Sequence, residues 1–323
     1  MRPVPIRETL DIPLRRGPAL AAAAALALLP VLLLAIGQPF YLVFATRVLI
    51  YALIASSLNL LIGYGGLVSF GHAAFVGAGA YTVAVLMPLG VGSAWLLWPA
   101  AILVAGTLAL LLGAIALRAT GVSFIMLTLA LAQMVYYLVQ SLRLLGSDDG
   151  LSLPGKPSLG VASLGNDTVL YYAALAILLA ALLGLRALLV SPTGRALQGL
   201  RDNETRMAAL GFDTLRLKLG IFAIAGAAAG LGGAMLASQS GLAGPNLLHW
   251  TESGLLMIMV ILGGAGRLLG GALGALVLLG AEEAIAEHTQ HWPLGIGVLL
   301  IVVVLWAPQG LAGLLAWRRR AAR

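Results

Sequence analysis

Ile261-Leu262-Gly263-Gly264-Ala265-Gly266-Arg267-Leu268-Leu269-Gly270-Gly271-Ala272-Leu273-Gly274 lies in the middle of an apolar stretch spanning 254–285. That stretch is too long for one membrane crossing, since a hydrocarbon core of roughly 30 Å is spanned by about 20 helical residues. Its glycine-rich centre divides it, and the number of passes it makes fixes the parity of the whole chain.

Other apolar runs lie near 18–37, 40–62, 65–87, 94–117, 122–142, 169–190, 219–241 and 293–309. Lys and Arg accumulate in cytoplasmic segments of membrane chains. Arg2, Arg7, Arg15 and Arg16 precede the first run, and Arg318, Arg319, Arg320 and Arg323 follow the last. Arg195, Arg201, Arg206, Arg216 and Lys218 lie between 190 and 219. These groups hold 13 of the 19 basic residues, so both termini and the central loop belong in the cytoplasm. Six crossings separate the N-terminus from the central loop, an even number as required. Runs 219–241 and 293–309 supply two more, so 254–285 must contribute two passes or a re-entrant pair, with its break at Gly263–Arg267 facing the cytoplasm. The expectation is an all-α integral membrane fold of about ten transmembrane helices forming one domain, 1–323. It has a cytoplasmic segment 1–17, an outer loop 143–168, a cytoplasmic loop 191–218 and a basic cytoplasmic tail 310–323.

Composition agrees. Hydrophobic residues make up 61% of the chain and charged residues 10%, whereas soluble domains carry about 25% charged residues. The net charge of +7 reads as topology and not as nucleic-acid binding. Cysteine is absent, which excludes disulfides, thiol catalysis and cysteine metal sites. His249, His288 and His291 have no metal-ligand spacing, so neither metal nor cofactor is expected. The basic start before Ala19–Ile36 resembles a signal peptide, but the run is long enough to span and is expected to be a retained first helix.

A second segment parallels the first: Leu61-Ile62-Gly63-Tyr64-Gly65-Gly66, continuing through Ser69-Phe70-Gly71-His72-Ala73-Ala74-Phe75 to Gly77 and Gly79. Small residues let helices pack closely in lipid. Glycine pairs also interrupt helices, which a membrane tolerates only inside protein or beside water. Such segments in both halves of a transporter point to the translocation pathway, giving Gly65, Gly66, Gly71, His72, Phe75, Gly263 and Gly264 as its candidates. An ionisable His72 at this depth is a functional candidate by default, beside the plainer reading of an interhelical hydrogen bond. Gln133 reads as interhelical glue, and Glu282 and Glu283 as solvated near the outer surface.

The long cytoplasmic connection carries two helix signals. Ser191-Pro192 is an N-cap with Pro at N1. Asn203 can cap a short helix that ends at a left-handed Gly211. That helix would expose Met207, Ala208 and Leu210 on one side, and the loop reads as a docking surface for a cytoplasmic partner.

This loop resembles the coupling loop of ABC importer permeases, whose small residues and glycine fall on Ala208, Ala209 and Gly211. Leu58-Asn59-Leu60-Leu61 through His72-Ala73-Ala74-Phe75 to Gly79-Ala80-Tyr81 is similar to LivM-type branched-chain amino acid permeases. So are Ile261-Leu262-Gly263-Gly264 and the closing Ala307-Pro308-Gln309-Gly310-Leu311. The resemblance runs from about 45 to 315. His72-Ala73-Ala74 departs from the Ala-His-Gly-Glu usual in LivH-type sisters, and Gly146-Ser147-Asp148-Asp149-Gly150-Leu151 lacks the Gly-Gly pair of many relatives. The resemblance implies a bacterial inner-membrane permease for branched-chain amino acids or related small solutes. It also implies a LivH-like second permease, two cytoplasmic ABC ATPases and an extracytoplasmic solute-binding protein. Arg195, Arg201, Asn203, Glu204, Met207, Ala208, Ala209, Leu210 and Gly211 would then couple to an ATPase. No Gly-x-x-x-x-Gly-Lys-Ser/Thr loop occurs, so the chain itself is not expected to hydrolyse ATP. The rivals are an ion-coupled secondary transporter, which would normally need mid-span carboxylates, and a membrane enzyme, for which no catalytic set converges.

Overall fold

The computed structural model describes residues 16–160, 163–289, 291–306 and 309–313. Most of the 1–17 segment and of the 310–323 tail therefore lie outside the described residues. The helices are α1 Arg16–Ala35, α2 Pro39–Asn59, α3 His72–Leu86, α4 Ala94–Ala116, α5 Val122–Ser141 and α6 Asp167–Val190. They continue as α7 Pro192–Asp202, α8 Glu204–Ala209, α9 Thr214–Ser240, α10 Trp250–Gly263, α11 Gly270–Ala286 and α12 Trp292–Trp306.

Among the described residues, six helical segments are long and apolar enough to cross a membrane, against the ten expected. They are Pro39–Tyr64, His72–Leu89, Ala94–Ala116, Val122–Ser141, Asp167–Val190 and Thr214–Ser240. Ala24–Ala35, Trp250–Gly263 and Pro293–Val303 are apolar but shorter. Helix α10 is short because the backbone leaves the helix at Gly264, which divides the 254–285 run before α11 begins at Gly270. Helix α2 runs on through a single π turn at Leu60–Tyr64, and α3 starts only at His72. The expected run from 65 is therefore non-helical as far as Gly71. Helix α9 begins earlier than hydropathy suggests because Asp213 caps it, accepting from the Arg216 amide at 3.0 Å.

The segment holding α2 is 72% buried over its most apolar window and α6 only 22%, so α2, α3 and α9 form the centre. The outer faces of α4, α5 and α6 expose large apolar side chains such as Leu103, Leu111, Met126 and Leu183, as lipid contact requires. In lipid, helices associate by close packing and not by escape from water. Accordingly α9 presents Gly226, Gly230 and Gly233 to its neighbours. A Cβ on Gly230 would lie 2.2 Å from that of Ala105, and one on Gly233 1.8 Å from the Val76 carbonyl. Gly79 closes on Gly230 in the same way. Gly77 and Gly79 thus serve packing.

On the opposite side, Leu151–Ser152 (β1) pairs antiparallel with Leu242–Ala243 (β2). Lys156 Nζ donates to the carbonyls of Ser238 and Gln239 at the end of α9, where the helix leaves its last carbonyls unmatched. The 143–168 loop is thereby fastened to α9.

Candidate functional site

The two glycine-rich segments touch each other. A Cβ on Gly63 would sit 2.2 Å from the Gly266 nitrogen. Asn59 stitches the pair: its Nδ2 donates to the Arg267 carbonyl at 2.7 Å, and its Oδ1 accepts from the Gly266 amide at 2.9 Å. Asn59 is fully buried. Its amide satisfies one donor and one acceptor of a backbone that has left the helix, and no water need enter to do so. Arg267, also buried, donates to the Ala312 carbonyl at 2.9 Å and to Gln309 Oε1 at 3.1 Å. A Cβ on Gly310 would lie 2.3 Å from the Gly264 Cα, so the Gln309–Leu311 end of the closing motif packs on the second segment. Ala307 and Pro308 lie outside the described residues.

The cytoplasmic loop reaches the same place. Arg201, near the end of α7, donates through Nη1 to the Gly63 carbonyl. A Cβ on Gly66 would meet Arg201 Cγ at 3.0 Å, and one on Gly65 would meet Leu197 at 3.4 Å. Gly66 is exposed with φ +68°, a conformation that favours glycine. Short helix α8 follows with Asn203 as N-cap, its Oδ1 accepting from the Arg206 amide at 2.8 Å. It ends as Gly211 donates to the Ala208 carbonyl and Phe212 to that of Met207, with Gly211 at φ +87°. Its partly exposed Glu204 pairs with Lys218, a buried lysine in α9, so α8 is tied to a central membrane helix.

The expected apolar docking face is rearranged. Met207 turns inward and packs with Ala196 and Leu200 of α7, its sulfur 2.9 Å from where a Gly199 Cβ would be. Burying Met207 joins α7 to α8. Leu210 and Phe212 remain outside, 67% and 48% exposed, with Arg195, Ala208 and Ala209 exposed beside them.

His72 and Phe75 are fully buried. His72 Nε2 is 2.8 Å from Ser57 Oγ, which itself donates to the Ile54 carbonyl at 2.7 Å. With that proton engaged, the imidazole donates through Nε2. Nδ1 then stands as a buried acceptor without a partner among the described residues. The ring meets Phe75 edge-on at 5.9 Å, and Phe75 meets Phe222 of α9 at 5.5 Å. Ser253 of α10 accepts from the Ala73 amide at 2.8 Å. Gly71 abuts Thr128 of α5. Gly65, Gly66, Gly263 and Gly264 therefore gather with Arg201 at one end, while His72 and Phe75 are buried against Ser57 of α2 and Phe222 of α9.

Sequence reasoning gave Asn59 and Arg47 no role of their own and counted Lys218 only among the basic residues of the cytoplasmic loop. Asn59 and Arg47 had a usable signal: each is a polar group inside an otherwise apolar run, which is costly in lipid unless it has a partner. Among the described residues no group of three or more His, Cys, Asp or Glu is placed to hold a metal.

The family described as "Branched-chain amino acid transport system / permease component" matches residues 40–306. The "High-affinity branched-chain amino acid transport system permease protein LivM" of Salmonella typhimurium is 31% identical over 314 residues, covering 88% of this chain and 74% of the relative. Its Escherichia coli counterpart has the same identity and coverage. The LivH permease of Salmonella typhimurium is 26% identical, covering 81% of this chain and 91% of the relative. No solved structure matches the chain significantly.

Proposed function

The chain belongs to the branched-chain amino acid transport permease family, and from that premise we propose how its parts divide the work of import. It is a multi-pass membrane protein and a permease subunit of an ABC importer, of LivM type. The reading proposed is alternating access for branched-chain amino acids or related small solutes. A LivH-like partner completes the pathway, two ATPases bind from the cytoplasm and a solute-binding protein delivers from outside. In this reading 1–323 is one permease domain in a bacterial inner membrane, with both termini and 191–218 cytoplasmic and 143–168 outside. Helices α10 and α11 then act as two passes, which with α1 and α12 makes ten.

One observation carries the coupling proposal: Arg201 of the loop meets the first glycine segment just where Asn59 joins that segment to the second. A push on α7 and α8 would reach both segments and, through Glu204 and Lys218, α9. Gly65, Gly66, Gly263 and Gly264 are proposed as the joints that move along the pathway. Gly71, His72 and Phe75 form the part of its wall that is sealed in this conformation. Arg195, Ala208, Ala209 and Leu210 form the ATPase contact, whereas Asn203, Glu204, Met207 and Gly211 set its shape.

The test is uptake by proteoliposomes holding the assembled complex with its loaded binding protein. Uptake should need ATP on the cytoplasmic side and survive a protonophore. Uptake driven by an ion gradient without ATP would overturn the reading in favour of a secondary transporter.

A further inference from the structure

Two buried side chains cross between the glycine-interrupted segments in opposite directions. Asn59, the last residue of α2, bonds the Gly266 amide and the Arg267 carbonyl, beyond the Gly263–Gly264 break. Ser253, in the first turn of α10, accepts from the Ala73 amide at 2.8 Å, beyond the Gly65–Gly66 break. Both side chains are fully buried. Each helix that enters one break therefore holds the far side of the other.

The Ser253 bond is a helix cap supplied from a distance. A helix leaves its first N–H groups without partners, and Gly71, at the capping position of α3, has no side chain to offer one. Ser253 meets that need from 180 residues away. Thr128 Oγ1 of α5 accepts from the Phe70 amide at 3.2 Å. His72 Nε2 donates to Ser57 Oγ at 2.8 Å, which holds α3 to α2 across its own break. In hydrocarbon an amide pulled from its acceptor finds no water to replace it. Neither break can hinge alone without stranding a polar group on the other segment.

We propose that Ser253 is a positioning residue for transport. It caps α3 from α10 and, with Asn59, forms a reciprocal lock, so that the two glycine joints open together or not at all. The inference rests on the reading of these joints as moving parts of an importer and adds what keeps them in step.

Ser56 and Ser69, both buried, supply the probes. Gly271 of α11 closes on the Ser56 amide, one turn before Asn59. Ser69 Oγ accepts from the Gly71 amide at 3.1 Å, just ahead of the Ser253 bond. Ser56→Cys and Ser69→Cys each place a single thiol in a chain that has no cysteine. The complete complex in proteoliposomes is treated with N-ethylmaleimide, and labelling is followed by the mass of this chain. Ser253→Ala should speed labelling at Ser56→Cys, and Asn59→Ala at Ser69→Cys, each by about tenfold, the weight of one buried hydrogen bond. With the lock intact, leucine-loaded binding protein and ATP should speed both sites together. Each variant tests the lock by itself, so failure of one to assemble on size-exclusion chromatography leaves the other decisive. Acceleration confined to the cysteine nearer the substitution overturns the inference, because the joints would then move independently. So does unchanged labelling at both sites with a lowered melting temperature, which would make the two bonds structural only. Labelling rates that follow an ion gradient and ignore ATP strike the importer reading instead, while the crossed effects, measured without nucleotide, would stand.

Discussion

Asn59 and Arg267 lie 208 residues apart, and the side-chain amide of the first donates to the main-chain carbonyl of the second at 2.7 Å. With the return bond from the Gly266 amide, this places the end of α2 and the α10–α11 break in one rigid contact. Asn59→Ala would leave a buried amide and a buried carbonyl unmatched, at a cost of about 1–3 kcal/mol for each group. Asn59→Asp keeps only the acceptor. Both variants of the purified complex should lose thermal stability, Asp no less than Ala, because its carboxylate would be desolvated and would face the Arg267 carbonyl. Equal melting of all three proteins would show that the contact does not hold the segments together.

Gly63 and Gly66 should respond differently to alanine. A Cβ on Gly63 would collide with backbone at Gly266, whereas one on Gly66 would meet the flexible Arg201 side chain at 3.0 Å and chiefly strain a positive φ, at roughly 1 kcal/mol. Gly63→Ala is expected to abolish transport or assembly. Gly66→Ala should retain measurable uptake. The reverse ranking in a transport assay would mean the two segments separate before they touch in the working cycle.

Arg201 and Arg195 lie on one short helix but face apart. Arg201 bonds the Gly63 carbonyl, and Arg195 is exposed. Arg201→Ala should leave ATPase co-purification intact while ATP hydrolysis no longer follows substrate delivery. Arg195→Ala should instead weaken co-purification, more so at high salt because an exposed charge is screened. Identical behaviour of the two variants would remove the distinction between transmission and docking.

At the end of α8, Gly211 has open space around the position of a Cβ but φ +87°. Gly211→Ala should therefore cost roughly 1 kcal/mol, and Gly211→Val more, because positive φ is an outlier for β-branched residues. Leu210→Asp should abolish ATPase binding with the loop intact. Met207→Asp should unfold the α7–α8 contact, visible as faster proteolysis of the loop. Normal ATPase binding in Leu210→Asp would return this face to a solvated connector.

Orientation is open to cysteine labelling, since the chain has no native cysteine. Gly155 and Thr193 are both exposed. Gly155→Cys should react with an impermeant maleimide from outside intact cells, and Thr193→Cys only after permeabilisation. The opposite pattern would invert the proposed topology.

The sequence by itself determined what depends on neighbours along the chain. Apolar runs declare membrane helices because every backbone group in hydrocarbon must be bonded within its own segment. The caps at Ser191 and Asn203 and the stop at Gly211 were legible because a cap is settled within three or four residues. What required the tertiary structure were contacts between segments some 200 residues apart. Composition cannot say that Gly79 and Gly233 serve packing while Gly63 and Gly266 join two broken segments; that depends on which backbone each one faces. Nor could periodicity turn Met207 inward, because a six-residue helix has too few turns to declare its buried side. Asn59 and Arg47 look alike on paper, as polar residues stranded in apolar α2. Only the fold separates them: one is matched to the backbone of Gly266 and Arg267, the other lies against the Tyr51 ring, since the partner of a polar group in a membrane helix is set by packing and not by its place in the chain.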